Sequence, residues 1–205
     1  MLTTPVSVNQ ADADTLLQSL GQIVSQLKCS FDFKELLWQM LKKGCDLTWS
    51  DAGTIYLVDR ESPRPLLAFA VSYNASQPDR SLEAFALPMD NSNLVGYVAL
   101  NATALVLDDV YQIPPTAPYR HHPTFDAEIG YHTRSALVLP MLNFRAEVIG
   151  VVQLLNRKLS PDLTVLPENV SQVTTTYSNR ELSFAGILAN LLAIAIERDQ
   201  LLTRL

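Results

Sequence analysis

The sequence predicts an α+β domain in which an antiparallel sheet of about six strands carries helices on one face and a lid with short helices over the other. Two β-branched, aliphatic runs of strand length, Ser135–Leu142 and Val148–Leu155, flank a short polar break and predict a β-hairpin. Neither run alternates cleanly between apolar and polar residues, so both faces of the hairpin should be covered. Amphipathic stretches near both ends of the chain are suited to one of these covers.

Composition and charge restrict the kinds of protein that this chain can be. The 205 residues are 48% hydrophobic, which is ample for the core of a single domain. The net charge of −6 is spread along the chain, so neither nucleic acid nor an anionic membrane is expected as a partner. No cleavable signal opens the chain, and its longest apolar run, Phe184–Ile196, is too short to cross a bilayer. We therefore expect a cytoplasmic protein.

The N-terminal part predicts an arm and two helices. Residues 1–13 lack periodicity and are expected to form a flexible arm, which leaves 14–205 as a single domain. Apolar residues recur at intervals of three and four across Asp14–Lys28, which indicates an amphipathic helix. Asp32 is placed to cap a second helix. The core face of that second helix would consist of Leu37, Met40, Leu41 and Cys45.

The middle of the chain predicts strands, a short helix and a lid. Four further strands are expected at Gly53–Asp59, Leu66–Tyr73, Ala84–Pro88 and Leu105–Leu107, with Trp49-Ser50-Asp51 as a break before the first. Several possible N-caps precede a short helix at Leu94–Leu100. The irregular stretch Asp108–Ile129 is long enough that a compact domain would carry it for a reason, and it predicts a lid with a short helix near Phe125.

The C-terminal part predicts a polar excursion, Leu159–Thr176, and a long final helix from Ser178 to Leu205. Ser178 and Glu181 have the spacing of a capping box. The apolar stripe of this helix is longer than one sheet can cover, and exposed leucines would create an unusually large apolar patch. The helices Asp14–Lys28 and Ser178–Leu205 are therefore predicted to pair across a subunit boundary in a homodimer.

The order of these elements resembles a GAF domain over about Thr15–Leu205. Three motifs sharpen the resemblance: Leu94–Ala99, Gly130–Ser135 and Val148–Arg157, the last being similar to the family's hallmark strand, which ends in Asn-Lys. The insert Asp162–Thr176 and the final Glu197-Arg198 are similar to GAF domains that precede cyclic-nucleotide phosphodiesterase or HD-type phosphohydrolase modules. The resemblance implies a regulatory sensor that is not itself an enzyme, with such a module following it in the full-length protein.

The family's cyclic-nucleotide-binding members carry five motif residues, of which Lys and Phe are conservatively changed here and Asp is replaced by Arg. The matching positions are Asn156, Arg157, Tyr177, Arg180 and Glu181. Because the family's Asp has become Arg180, the family's Lys–Asp ion pair cannot form. Arg157 and Arg180 would face each other unless Glu181 or another carboxylate intervenes. Tyr177 and Glu181 also fit helix-start chemistry that needs no ligand.

The resemblance also implies a ligand pocket between sheet and lid. Carried over residue by residue, its lining would be Thr54, Tyr73, Asn74, Leu94, Val95, His122, Ile129, Thr133 and Gln153. Several of these are polar, as a nucleobase requires, and the helix start at Leu94 suits a phosphate or carboxylate. Tyr73 could stack on a base, although an aromatic residue on an apolar strand is more often part of a core. The implied ligand is a small molecule, with cAMP and cGMP as candidates.

No catalytic constellation is evident in the sequence. Cys29 and Cys45 are expected as packing residues in helices, and the absence of cysteine from Asp51–Leu205 disfavours both GAF-like methionine sulfoxide reductase activity and bilin attachment. The lid's histidines and acids match no metal-ligand spacing, so no metal or other cofactor is expected. These lid residues are Asp108, Asp109, His121, His122 and Asp126. A ligand-free dimerisation module is the alternative reading.

Overall fold

The computed structural model describes residues 18, 21–22, 32–79 and 85–203. The predicted arm, residues 1–13, lies outside this part of the chain. Most of the predicted helix Asp14–Lys28 does so too, and its three described residues, at positions 18, 21 and 22, are helical.

The predicted elements are present with small shifts at their ends. The described helices are α1 (Phe33–Thr48), α2 (Leu94–Asn101), α3 (Pro123–Ile129), α4 (Val170–Val173) and α5 (Asn179–Leu202), with a 3-10 turn at Val110–Gln112. The strands are β1 (Ser50–Asp59), β2 (Leu66–Asn74), β3 (Ala86–Pro88), β4 (Leu105–Leu107), β5 (Ala136–Leu142), β6 (Val148–Lys158) and β7 (Thr174–Thr175). The two-residue β7 and the short α4 lie in the predicted polar excursion.

The sheet is antiparallel throughout, with the order β3-β2-β1-β6-β5-β4 and β7 paired to the end of β6. The predicted hairpin is β5–β6, and β6 also pairs with β1 at the centre of the sheet. In this register Thr54 on β1 lies opposite Gln153 on β6. The predicted fold class, an α+β domain on a six-stranded antiparallel sheet, is therefore confirmed.

Both faces of the central strands are covered, which explains why their sequences do not alternate. On one face α1 and α5 pack against alternate residues such as Ile55, Val152 and Leu154. On the other face the intervening residues Tyr56 and Val151 pack with α2 and the lid. Each strand residue therefore meets a packed layer whichever way its side chain points.

The first strand begins three residues earlier than predicted. Trp49 ends the α1 region in the left-handed conformation with φ 54°, but Ser50 and Asp51 already belong to β1, so the predicted break at these two residues is wrong. Their polar side chains do not stop the strand because both are buried and hydrogen-bonded. Ser50 Oγ lies 2.9 Å from Tyr177 Oη, and Asp51 Oδ2 accepts a bond from Tyr131 Oη at 2.9 Å.

Helix α5 begins with the predicted capping box. The Ser178 N–H donates to Glu181 Oε2 at 2.9 Å, and Ser178 Oγ accepts the N–H of Arg180 at 3.2 Å. The side chains of Leu188, Leu192 and Ile196 are buried against α1 and β5. Among the described helices, α5 alone is long and apolar enough to cross a membrane by length and composition. The apolar run Phe184–Ile196, on which the sequence prediction of no membrane span rests, is only part of this longer helix.

The polar excursion folds onto one end of the sheet. Val165 and Val170 pack with Ala52 and Tyr131 in a small separate core. Lys158 Nζ donates to the carbonyl of Pro161 at 2.6 Å and to that of Leu163 at 3.0 Å. The excursion is thereby fixed to the last residue of β6.

Candidate functional site: a cavity between sheet and lid

A cavity of about 680 Å³ lies between the sheet and the lid. All nine residues of the implied pocket line it: Thr54, Tyr73, Asn74, Leu94, Val95, His122, Ile129, Thr133 and Gln153. They come from β1, β2, β6, the start of α2, the residue before α3, the end of α3 and the segment that follows α3. The volume falls in the range of about 300–1,000 Å³ that is usual for small-molecule sites.

The floor of the cavity is formed by neighbouring strands. Thr54 and Gln153 face the lid from paired positions of β1 and β6, and Ser72 on β2 lies opposite Thr54. The Gln153 side chain is half-buried, and within the described part of the chain its amide has no hydrogen-bond partner. A side-chain amide offers both a donor and an acceptor, so Gln153 can bind a ligand that presents either group.

Tyr73 lines the cavity without serving as a stacking platform. Its ring packs edge-on against Trp38 at a centroid distance of 6.1 Å, and Lys42 Nζ lies 5.4 Å from the ring centroid. Both partners are on α1, so the ring belongs to the helix side of the sheet. This packing fits the core role that is usual for an aromatic residue on an apolar strand, rather than stacking on a base. Its neighbour Asn74 has a local role, because Asn74 Oδ1 accepts the N–H groups of Ser76 and Gln77 after β2.

Aromatic rings do line the cavity, but at positions that the sequence analysis did not assign to it. Phe85 and Phe125 bring their ring centroids to 5.7 Å from each other, and Tyr56 meets Phe85 edge-on at 6.1 Å. Phe125 was noted only as a marker for the lid helix. Nothing local in the sequence indicated that Phe85, just before β3, would meet a ring from the lid.

The start of α2 faces the cavity. Asn93 Oδ1 caps the helix by accepting the Gly96 N–H at 2.7 Å. Among the described residues no acceptor faces the N–H groups of Leu94 and Val95, and both residues line the cavity. His122 is held over this end, since its Nε2 lies 2.9 Å from the carbonyl oxygen of Ser92.

The lid is fastened by Asp126, a buried carboxylate on α3. Asp126 Oδ2 accepts the Thr133 N–H at 2.8 Å and Tyr111 Oη at 2.9 Å, and Oδ1 accepts Thr133 Oγ1 at 2.9 Å. His121 Nε2 lies 3.4 Å from Oδ2. Burial raises the pKa of Asp126, but the contacts with His121, Thr133 and Tyr111 outweigh it and hold the pKa below the usual value. Burial and the bond to Asp126 raise the pKa of Tyr111 to about 12.

The charged side chains around the cavity mainly support the lid itself. Arg120 donates to the carbonyls of Pro115 at 2.6 Å and Tyr119 at 2.8 Å, and also to that of Ala117. Within the described ranges, no cluster of three His, Cys, Asp or Glu residues could hold a metal ion. Cys45 lies on the helix side of the sheet, and burial raises the pKa of its thiol.

Asn156, the first residue of the family motif, holds the chain that leads into β5. Its backbone is left-handed with φ 55°, a conformation that asparagine tolerates better than most residues. The side chain is buried, accepts the Arg134 N–H through Oδ1 at 2.7 Å and donates through Nδ2 to the His132 carbonyl at 2.8 Å. The two bonds flank Thr133, so Asn156 positions a cavity residue from behind.

The other motif residues meet at the start of α5. Glu181 stands between the two arginines: Arg157 Nε lies 3.2 Å from Oε2, and Arg180 Nη1 lies 3.8 Å from Oε1. Glu181 is thus the carboxylate that separates the two like charges of Arg157 and Arg180. Tyr177 is buried, and its hydroxyl lies 2.9 Å from Ser50 Oγ on β1, a long-range contact that the sequence analysis did not predict.

Comparison with known proteins identifies the fold. A family model described as "GAF domain" matches residues 30–197. A dual 3',5'-cyclic-AMP and -GMP phosphodiesterase 11A from Takifugu rubripes is 25% identical over 173 residues, which cover 82% of this chain and 18% of that enzyme. The GAF domain of a phosphoenolpyruvate-protein phosphotransferase from Coxiella burnetii has a TM-score of 0.67 at 18% identity, over 94% of this chain and 99% of that one.

A further likeness is to the free methionine-R-sulfoxide reductase of Neisseria meningitidis. That structure has a TM-score of 0.62 at 20% identity and covers 96% of both chains. At such identities the two structural likenesses show a shared fold alone.

Proposed function

The chain belongs to the GAF domain family, whose members are regulatory, ligand-binding domains, and we propose that it is a sensor that binds a small molecule in the cavity between sheet and lid. The sensor regulates a module in the same polypeptide, a phosphodiesterase or phosphohydrolase, through its terminal helices. The chain spans only 18% of the phosphodiesterase relative, so the catalytic activity named for that enzyme would reside in a separate module. The proposed location is the cytoplasm.

One observation carries the proposal: a cavity of about 680 Å³ lined by rings, hydroxyls and the Gln153 amide, which has no partner among the described residues. Phe85 and Phe125 supply apolar ring surface, while Thr54 and Gln153 supply hydrogen-bonding groups at the floor. This mixture suits a flat heterocycle with polar edges. The open N–H groups at the start of α2 suit an anionic group on the same ligand.

Cyclic nucleotides combine a heterocycle with one anionic group, so cAMP and cGMP are the ligands to test first. Calorimetric titration at micromolar protein concentration should give saturable heat with one of them. Gln153→Ala should weaken binding by about 1–3 kcal/mol because a buried ligand group loses its partner. Thr133→Ala should weaken binding similarly and should also lower the free energy of unfolding, because Thr133 Oγ1 is bonded to Asp126. Unchanged affinity in both variants would contradict the assigned pocket.

The alternative function, a ligand-free dimerisation module, is favoured by the outer face of α5. Ile194, Leu201 and Leu202 are 54%, 65% and 57% exposed in the single chain. We propose that this face pairs with a second copy and that the pairing also serves the sensor by carrying changes to the next module. Leu191 is half-buried against the main core and is unsuited as a probe of the interface, whereas Ile194 points outward.

Light scattering at micromolar concentration tests the pairing. The wild type should be a dimer, and Ile194→Glu combined with Leu202→Glu should give a folded monomer because the charges would be buried unpaired only at the interface. A wild type that remains monomeric at high concentration would contradict this part of the proposal.

A further inference from the structure

A continuous set of buried and half-buried contacts joins the lid of the cavity to the first turn of α5. It begins at Asp126 on the lid helix, which is 4% exposed and accepts both the N–H and the hydroxyl of Thr133. Thr133 also lines the cavity. A ligand that alters the position of Thr133 therefore acts directly on the contact that fastens the lid.

The second step runs through Asn156. Its side-chain amide binds the carbonyl of His132 and the N–H of Arg134, the residues on either side of Thr133. The backbone of Asn156 is bonded to the same segment, because its N–H donates to the Ser135 carbonyl at 2.8 Å. Asn156 is fully buried and left-handed, so it has little freedom to absorb a movement of Thr133.

The third step joins the end of β6 to α5. Arg157 follows Asn156 directly, its N–H donates to Ser135 Oγ at 3.1 Å, and its Nη2 donates to Glu181 Oε1 at 3.3 Å. Glu181 is 2% exposed and simultaneously caps α5 by accepting the N–H of Ser178. The carboxylate that completes the capping box is therefore the one that holds Arg157.

We propose that Asn156, Arg157 and Glu181 are positioning residues that couple the state of the lid to the stability of the first turn of α5. The coupling deepens the proposed sensor function, on which its physiological meaning rests. In the proposed sensor, α5 carries the signal to the regulated module, so a change in its first turn would alter the register or fraying of that helix.

Hydrogen exchange of the ligand-free protein tests the coupling. Asp126→Asn weakens the fastening of the lid, and it should speed exchange of the amides at 182–185 by about twofold to thirtyfold, the range typical of coupling energies between sites. Exchange at 195–198, further along α5, should not change. Asp90→Asn is the matched control, because the exposed Asp90 also accepts a backbone N–H, that of Ser92, but lies outside the contact chain.

The double variant supplies the decisive comparison. Glu181→Gln removes the charge at the last link, and Asp126→Asn added to it should speed exchange at 182–185 no further than Glu181→Gln alone. Should Glu181→Gln unfold the protein, Arg157→Leu replaces it, since this variant cuts the same link and keeps the capping box. Additive effects, or no change at 182–185 in Asp126→Asn, would overturn the proposal. No ligand is added, so a failure of cAMP and cGMP to bind would defeat the proposed ligands and leave this result standing.

Discussion

Replacing Lys158 by Met should destabilise the protein in a pH-dependent way. Lys158 Nζ lies 3.8 Å from Asp51 Oδ1, and the two side chains are 7% and 0% exposed. Removing one partner of a buried ion pair leaves the other charge uncompensated, which costs about 3–5 kcal/mol. Ser76 Oγ and Tyr131 Oη still donate to Asp51 at 2.7 and 2.9 Å, but the carbonyls of Pro161 and Leu163 lose their Lys158 donor, so we expect a loss within this range.

The pH dependence follows from the direction of the Asp51 pKa. Burial raises this pKa above the ordinary value, against the opposing effects of Ser76, Tyr131 and Lys158. A carboxyl group whose pKa is higher in the folded state stabilises the fold below the unfolded-state pKa, and that contribution is lost as the pH rises through the folded-state pKa. Loss of the Lys158 charge raises the pKa further. The deficit of Lys158→Met should therefore be larger at pH 8 than at pH 5.

Urea unfolding at the two pH values measures the deficit. Lys42→Met is the matched control, because Lys42 makes an exposed pair with Asp46 at 2.9 Å and should cost only about 0–1 kcal/mol at either pH. The double variant Asp51→Asn with Lys158→Met should recover the pH-dependent part of the loss, since no unpaired charge remains, while the bonds from Lys158 to Pro161 and Leu163 stay lost. A deficit of Lys158→Met that is equal at pH 5 and pH 8, or no larger than that of Lys42→Met, would refute the reasoning.

Three further predictions concern packing, the motif asparagine and the lid. Gly96→Ala should lower the free energy of unfolding by about 1–3 kcal/mol, because the added Cβ would lie 2.6 Å from the Pro88 carbonyl oxygen. Gly186→Ala is the control: its Cβ meets nothing within 4 Å, so it should raise the free energy of unfolding by about 1 kcal/mol. Thermal unfolding measures both changes. Asn156→Ala should lower the free energy of unfolding by about 2–4 kcal/mol, because two hydrogen bonds are lost and alanine is strained at φ 55°. Urea unfolding compares it with the exposed control Asn101→Ala, and a smaller loss of stability in Asn156→Ala than in the control would contradict this. Tyr111→Phe removes one donor from Asp126 and should speed amide exchange in α3, and unchanged protection there would exclude a fastening role for Tyr111.

The elements that the sequence predicted correctly are those with local causes. The hairpin β5–β6 follows from two apolar runs and a polar break, and the start of α5 follows from the spacing of Ser178 and Glu181. Such signals depend on residues only a few positions apart, so no tertiary contact is needed to interpret them.

The side of the sheet on which each β2 side chain lies could not be predicted from local signals. Ile55 pairs with Val71 but Tyr56 pairs with Phe69, so Ala70 is an extra residue in the strand. This irregularity shifts the alternation of side chains, which places Phe69 on the lid side and Tyr73 on the helix side. An assignment by family position alone had no means of detecting it.

The contacts that shape the site also lay beyond local reasoning. Asp126 was considered only as a possible metal ligand, and its binding to Thr133 depends on how the segment after α3 turns back. The pair between Lys158 and Asp51 joins residues more than a hundred positions apart in the chain. The polarity of these residues was visible in the sequence, but their partners were not.

The most direct test of the central claim, that the cavity between sheet and lid is the ligand site, is calorimetric titration with cAMP and cGMP of a variant whose cavity is filled. Ser72 faces the cavity from β2, so Ser72→Trp should fill part of the 680 Å³ and reduce affinity at least about tenfold while the protein stays folded. Thr103→Trp places the same side chain at an exposed position outside the cavity and should bind as the wild type does. Equal affinity in Ser72→Trp and Thr103→Trp would contradict the account, whereas no heat from the wild type with either nucleotide would exclude cAMP and cGMP as the ligands.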